Sequence, residues 1–590
     1  MSRELELQNI LSWAKENGAK ISDNLEFKYS DEKGVHAFVK ENISTDKKSH
    51  LIEIPQSILF TPKYSESIFD YLQGSDAAGK NPNAKSQLLL AKLKFDSNDT
   101  LFENINLTQK FKPYLDFLPN NGQETNCPYF WSMPEKELLD GTDAHIFMKR
   151  QFLKSLEEWK VFATQLYQLN PNEYPQLKDE LLEYEAFKMG PVGGVAVNYL
   201  LNIKKITWTS FTAYLWASCI FTSRAFPYML FDKNIKDLNT AFLIPVVDLL
   251  NHENERKVRW TVENNNFVFN TLDSDENIKA GMELFNNYGE KSNLDLLLGY
   301  GFVVNNNRYE SATLTLQVDE SVIDGAKSFG VKLPHDASVL GINFEITKSD
   351  TTPKSLIDFF SYLVKLTSEK KGITLRMRLE GISQIRSIIQ TKINSLKSVE
   401  VKAHDNVKKE RAEIIKKYRN TQKNIFQQSV EDLEKLEKKL LTKYKPFSFK
   451  AILKQDTKFS NALLLFFGTP TYDALVEHNY LDHAILLWIM RIANQEHYAV
   501  EDQQLFPRFI LDTFKDVKTS LKIENTDVTE YLPLYEALFP KLCQNIPEIF
   551  GKGEWTLNNL IAAATVNDRL GYKRTVNSEA FFIERLILKD

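Results

Sequence analysis

Strand texture appears twice in this chain, on either side of a long helical block, and that interruption restricts the fold more than any other feature. Residues about 21 to 60 contain "GVHAFV" and then "SHLIEIPQSILF", apolar, β-branched runs broken at Pro55. From about 61 to 200 the periodicity turns helical: "SQLLLAKLKF" and "HIFMKRQFLKSLEEWKVFATQLYQL" space apolar residues as one face of a helix, with charges between. "ITWTSFTAYLWASCIFTSRAF", Ile206 to Phe226, continues as an apolar helix, and strands resume in "AFLIPVVDLLNH", "KVRWTVENNNFVFN" and "MELFNNYG". This is the pattern of a β domain split by a helical insertion. Beyond about 310 helices dominate. In "ERAEIIKKYRNTQKNIFQQSVEDLEKLEKKLL" the residues Ile414, Tyr418, Ile425, Leu433, Leu436 and Leu440 approximate one apolar stripe, as in a bundle helix packing on its own domain.

At 590 residues the chain exceeds what one core supports, so two or more domains are expected. A net charge of −5 over that length argues against a protein built to cover phosphates. Three dispersed cysteines give neither a disulfide framework nor a CxxC pair and fit a reducing compartment. The N-terminal residues "MSRELELQNILSWAKENGAK" lack the apolar core of a signal peptide, and no stretch approaches the roughly 20 apolar residues that span a bilayer. A cytoplasmic protein is expected, with no metal, since no HExxH or Cys/His set occurs. "MGPVGGV", Met189 to Val195, reads as a loop without a phosphate-binding pattern.

What remains is a cluster in the second strand-rich block. "SRAF", "DLLNH" and "NNYGEKSNLDLLLGYGF" place an arginine, an Asn-His pair and two tyrosines, Tyr288 and Tyr300, each followed by glycine. The apolar run between the tyrosines reads as too short for an ordinary helix. Each element alone is weak, since a buried tyrosine is more often core with a satisfied hydroxyl.

Together with "GVHAFVKENI" and "KPYLDFLP", these segments resemble the SET-domain lysine methyltransferases of the Rubisco large-subunit methyltransferase class, over roughly residues 20 to 310. Within that class the fungal enzymes that methylate translation elongation factor 1-alpha look most similar, through "PVVDLLNHENERKVRW" and "LRMRLEGISQIRS"; ribosomal-protein lysine methyltransferases are near neighbours. The resemblance implies an α+β fold: small curved β-sheets with a pseudoknot between the "NH" segment and the tyrosine segment, and an all-α C-terminal domain. It implies residues 1–60 and 201–310 as the two parts of the SET domain, 61–200 as its helical insertion and 311–590 as a helical substrate-recognition domain.

It also implies S-adenosylmethionine as cofactor and a protein lysine as acceptor, meeting in a narrow channel. Tyr288 is then the catalytic residue, orienting amine and methyl. Lys33, Gly34 and Val35 would offer backbone groups to the cofactor, Arg224 would meet its carboxylate, Asn251 and His252 would hold its adenine end and amine, and Tyr288 would also be cofactor-binding. Ser223, Phe226, Asp248, Tyr300 and Phe302 would line the lysine side, with carbonyls of Ser223, Arg224 and Asp248 at the methyl site. One departure stands out: where the family turn reads Gly-x-Gly, the second position here is His36. The acceptor is expected to be elongation factor 1-alpha or a ribosomal protein, with no nucleic acid or membrane partner and a monomeric enzyme. A scaffold without turnover and a histidine acceptor are the competing readings; the retained Tyr288 and Tyr300 weigh against both.

Overall fold

The computed structural model describes residues 2–30, 34–42, 50–73, 81–189, 206–271, 278–338 and 341–588. Lys33 and nearly all of "MGPVGGV" lie outside the described residues. The chain divides into two compact units, Met1–Ala312 with Leu396–Gln422, and Thr313–Ser395 with Lys423–Asp590. The sequence expectation groups all of 311–590 together, whereas Leu396–Gln422 clusters with the first unit.

In the first unit a four-stranded antiparallel sheet runs Lys20–Ile21, Ile52–Pro55, Asn266–Thr271, Val258–Glu263. Its central pairing, Phe267 on Ile54 and Phe269 on Ile52, joins strands from opposite sides of the helical block. The hairpin Val258–Thr271 turns through Asn264 and Asn265, at φ 50° and 61°. Two successive positive φ values are what a two-residue turn needs to match strand twist, and asparagine tolerates them. A second, three-stranded sheet runs Glu283–Leu284, Gly34–Val39, Leu25–Ser30. Val35, Ala37 and Val39 face the core with Leu25 and Phe27, as the two-residue alternation requires.

Helices of the insertion share one hydrophobic core with these sheets. Among them Asp143–Leu169 buries Phe152, Leu156, Trp159, Phe162 and Leu166 along one stripe. Phe211–Arg224, capped by the Ser210 hydroxyl, is apolar all round and buried in the middle of the unit. The expected strand "AFLIPVVDLLNH" is a strand only over Ala241–Leu243. Val246, at φ 76°, turns the chain into a short 3-10 turn, Val247–Leu249. A β-branched residue there costs about 1–3 kcal/mol.

Leu396–Gln422 packs inside the first unit through buried polar contacts. Arg411 pairs with Glu135 at 2.6 Å, Tyr418 donates to Asp143, and Gln422 donates to the Ser311 carbonyl at 3.0 Å. Ile415 and Tyr418 also reach Leu297, beneath the tyrosine segment.

The second unit is mainly helical, with two two-stranded sheets, Gly571–Lys573 with Ala580–Phe582, and Ile342–Thr347 with Ser311–Leu316, the first two residues of which belong to the first unit. Its core centres on the apolar helix Leu481–Ala493. The buried face of Lys409–Leu441 differs from the apolar stripe read in the sequence. Ile414, Leu436 and Leu440 are half-buried, while Gln422, Ser429 and Glu437 are fully buried. Glu437 is neutralised by Arg386 at 3.1 Å and Arg574 at 2.9 Å and accepts from the Tyr572 hydroxyl. A buried carboxylate is tolerated there because its partners are built in.

Candidate active site

The Asn-His turn and the tyrosine segment are tied by backbone. The Asn286 N–H donates to the Asn251 carbonyl at 2.7 Å, the Glu253 N–H donates to the Asn286 carbonyl at 3.0 Å, and His252 and Asn286 form a parallel bridge. Asn287 adds side-chain bonds to the carbonyls of Asn254 and Arg256. Gly289, at φ 102°, lets the chain leave the turn directly after Tyr288.

Residues 293–300 then form an eight-residue helix, where the apolar run reads as too short for an ordinary one. Local capping explains it. Ser292 and Asp295 make a reciprocal capping box, and Gly301, at φ 76°, ends the helix in the left-handed region. The signal was legible as S-x-x-D before an apolar run and glycine after it. Asn293 opens the helix, held by the buried Glu310, and Tyr300 closes it.

This geometry stacks three rings. Tyr288 lies between His252, 4.9 Å away at 17°, and Tyr300, 4.7 Å away at 13°; Phe302 meets Tyr300 edge-on at 6.1 Å. The Tyr288 N–H donates to His252 Nδ1 at 3.1 Å, and His252 Nε2 sits 2.6 Å from the Asn254 Oδ1. That pattern assigns the neutral imidazole with its proton on Nε2. Burial also pushes the imidazole below its ordinary pKa. The Tyr288 hydroxyl donates to the Leu250 carbonyl at 2.8 Å. Burial raises the Tyr288 phenol well above the ordinary range and pushes Tyr300 up to about 12, so both stay neutral.

Arg224 and Asp248 form a second cluster. Arg224 Nη1 donates to the Asp248 carbonyl at 3.0 Å and lies 3.4 Å from its carboxylate, and the Tyr114 hydroxyl donates to the same carboxylate oxygen at 2.8 Å. The other carboxylate oxygen is buried without a hydrogen-bond partner among the described residues. Burial pushes the Asp248 carboxyl up against the pull of Arg224 and Tyr114. Nothing marks Tyr114 as a site residue in the sequence beyond its place in "KPYLDFLP".

The remaining expected residues surround these two clusters in sequence and make their own contacts. Asn251 donates to the Glu283 carboxylate at 2.8 Å. Ser223 bonds back to the Cys219 carbonyl at the end of its own helix. Phe226 enters the core, its ring against Trp260 and Phe267, because its strand pairs with Ala241–Leu243. Gly34 stands at φ 68° with no atom of the described residues beyond its chain neighbours within 4 Å of where a Cβ would be, and Val35 is buried. On the side away from Leu25–Ser30, strand Glu283–Leu284 covers only Ala37 and Phe38, so Gly34–His36 has no strand partner there among the described residues. Open backbone and a partly committed guanidinium fit a small cofactor that carries a carboxylate. Among the described residues no three His, Cys, Asp or Glu side chains converge as metal ligands, and no helix is long and apolar enough to cross a membrane.

Residues 311–444 match the family described as the EFM1 middle domain. The chain is 35% identical to the protein-lysine N-methyltransferase EFM1 of Saccharomyces cerevisiae, covering 99% of this chain and 98% of that protein. It is 29% identical to ribosomal lysine N-methyltransferase 1 of the same yeast, over 84% of this chain and 88% of that one. The fold matches the crystal structure of the SET domain of LSMT bound to lysine and AdoHcy with a TM-score of 0.51 at 18% identity, covering 75% of this chain and 93% of that one. Likeness over its whole length makes the chain a member of the SET-domain protein-lysine N-methyltransferases, enzymes that move a methyl group from S-adenosylmethionine to a lysine side chain.

Proposed function

We propose that this enzyme methylates a lysine of translation elongation factor 1-alpha in the cytoplasm, acting as a monomer. In this reading residues 1–60 and 201–310 form the catalytic SET domain, 61–200 its insertion and 311–590 the part that recognises the acceptor protein. The observation that carries the catalytic assignment is the His252–Tyr288–Tyr300 stack, locked by the backbone crossing at Asn286.

S-adenosylmethionine supplies a methyl group on a sulfonium, a good leaving group in an in-line displacement. The chain's own part is positioning. Tyr288 is the catalytic residue: with its proton committed to the Leu250 carbonyl, its oxygen turns lone pairs toward the incoming amine. Tyr300 and Phe302 flank the lysine stem with ring faces that also attract a cationic head. Ser223, Phe226 and Asp248 shape the wall behind them, Phe226 from within the core.

Arg224 pairs with the cofactor carboxylate through the part of its guanidinium that Asp248 leaves unused, and Asn251 and His252 hold the rest of the cofactor. Gly34 and Val35, with Lys33 beside them, offer backbone groups. A free lysine has a pKa of about 10.4 and must lose its proton to attack; a dry channel beside a cation favours the neutral amine, so no strong protein base is needed.

The test is incubation with methyl-labelled cofactor and extract from a strain lacking this protein, then mass spectrometry of the labelled band. Elongation factor 1-alpha should carry the label. Tyr288→Phe should lower kcat by about 100- to 1000-fold while leaving cofactor binding within a few-fold. The ribosomal relative supports a second acceptor, and label on a ribosomal protein would replace the first reading.

A further inference from the structure

The outer face of the sheet that carries the Gly34 turn holds a buried side chain whose polar atom is left unused by the described residues. Gly34, His36 and Phe38 alternate onto this face, opposite Ser30, Lys28 and Glu26. Phe38 also lies opposite Glu283, the residue that accepts from Asn251. The row therefore runs from the open volume beside Gly34 to the Asn-His turn.

His36 sits in the middle of that row. It is only 8% exposed, meets Phe38 edge-on at 4.9 Å, and its Nδ1 is buried with no hydrogen-bond partner among the described residues. Native structures rarely leave such an atom unpaired, because burying it without a partner is costly. A histidine kept only for packing would be better replaced by an aromatic hydrocarbon. Its strand neighbours on the same edge, Gly34 and Val35, have no strand partner on the open side among the described residues.

We propose that His36 is a cofactor-binding side chain: its imidazole nitrogen forms a hydrogen bond to bound S-adenosylmethionine, adding a side-chain contact to a turn that otherwise offers backbone alone. The inference rests on the cofactor site lying at this turn. It assigns a role to the one position where the turn departs from Gly-x-Gly.

The experiment is isothermal titration of S-adenosylhomocysteine into the full-length protein, its His36→Phe and His36→Gln variants, with thermal unfolding of each in the absence of ligand. His36→Phe keeps a ring on Phe38 and removes the nitrogens. Affinity should fall about tenfold, while the ligand-free protein melts at the same or a higher temperature because the unpaired atom is gone. His36→Gln should recover part of the affinity. Affinity of the Phe variant within about twofold of wild type overturns the proposal. So does weaker binding accompanied by a lower ligand-free melting temperature and no recovery with glutamine, which marks a structural role. Wild-type protein that binds no S-adenosylhomocysteine at all would instead overturn the placement of the cofactor site.

Discussion

Glu310 offers a sharp test of how the tyrosine helix is held. Its carboxylate is 4% exposed, takes the Asn293 side-chain amide, and accepts from the Ser311 N–H at 3.2 Å. Burial outweighs these bonds and pushes its pKa up to about 7 from 4.5. A carboxyl whose folded pKa is raised binds a proton on folding between those two values. Its stabilising effect is therefore full below about pH 4.5, falls as pH rises, and is gone above about pH 7. A shift of that size is worth about 3 kcal/mol, and the N-terminus of the helix beside it returns about 0.3–1 kcal/mol to the charged form, leaving about 2–3 kcal/mol.

Glu310→Gln cannot titrate. It also sets an amide N–H against a donor, which lowers stability by a constant amount at every pH. The slope, not the offset, is the readout. Urea unfolding of both proteins from pH 4.5 to 8 should show wild type losing stability relative to the variant by up to about 1.4 kcal/mol per pH unit, flattening near pH 7. Parallel curves would refute the reasoning. They would mean that the hydrogen bonds to Glu310, not its burial, govern its protonation.

Gly301→Ala should lower the melting temperature and reduce kcat by about 10- to 100-fold, because a Cβ there meets the Asn126 carbonyl oxygen at 2.5 Å and φ is 76°. Steady-state kinetics with a thermal melt reads both effects. Glu437→Ala should destabilise the protein by about 3–5 kcal/mol, since Arg386 and Arg574 would remain buried without their counter-charge; denaturant unfolding measures it. The kcat/KM profile should rise with pH as the acceptor amine loses its proton and show no falling limb below about pH 10, because the Tyr288 and Tyr300 phenols are held neutral. A descending limb at pH 8–9 in a rate profile would contradict that.

Periodicity exposed the two blocks of strands and the helices between them, because each element answers to a local pattern of apolar side chains. The Asn264–Asn265 turn and the capping box at Ser292 were equally local, though the latter was hidden behind an apolar run that looked too short. The site itself became legible only through resemblance, since the contact of Tyr288 with His252 depends on a backbone crossing that leaves no periodic trace. Other features had no local signature at all. The positive φ of Val246 is imposed by its surroundings, and the Tyr114–Asp248–Arg224 cluster joins three segments that individually look like core, turn and helix end. The buried Glu437 defeats an apolar-stripe reading because its partners come from two distant segments.

The strand pairing that closes the first sheet also dictates when that sheet can form during synthesis. Asn266 bonds Glu53 across a separation of 213 residues. Closing so long a loop from an open coil costs about 5 kcal/mol in chain entropy. Folding of the intervening helices beforehand shortens the effective gap and lowers that cost. A nascent polypeptide on the ribosome thus carries an early strand that must wait, shielded, for a late one. The His252–Tyr288–Tyr300 stack cannot form until Tyr300 has emerged, so a fragment released earlier lacks it.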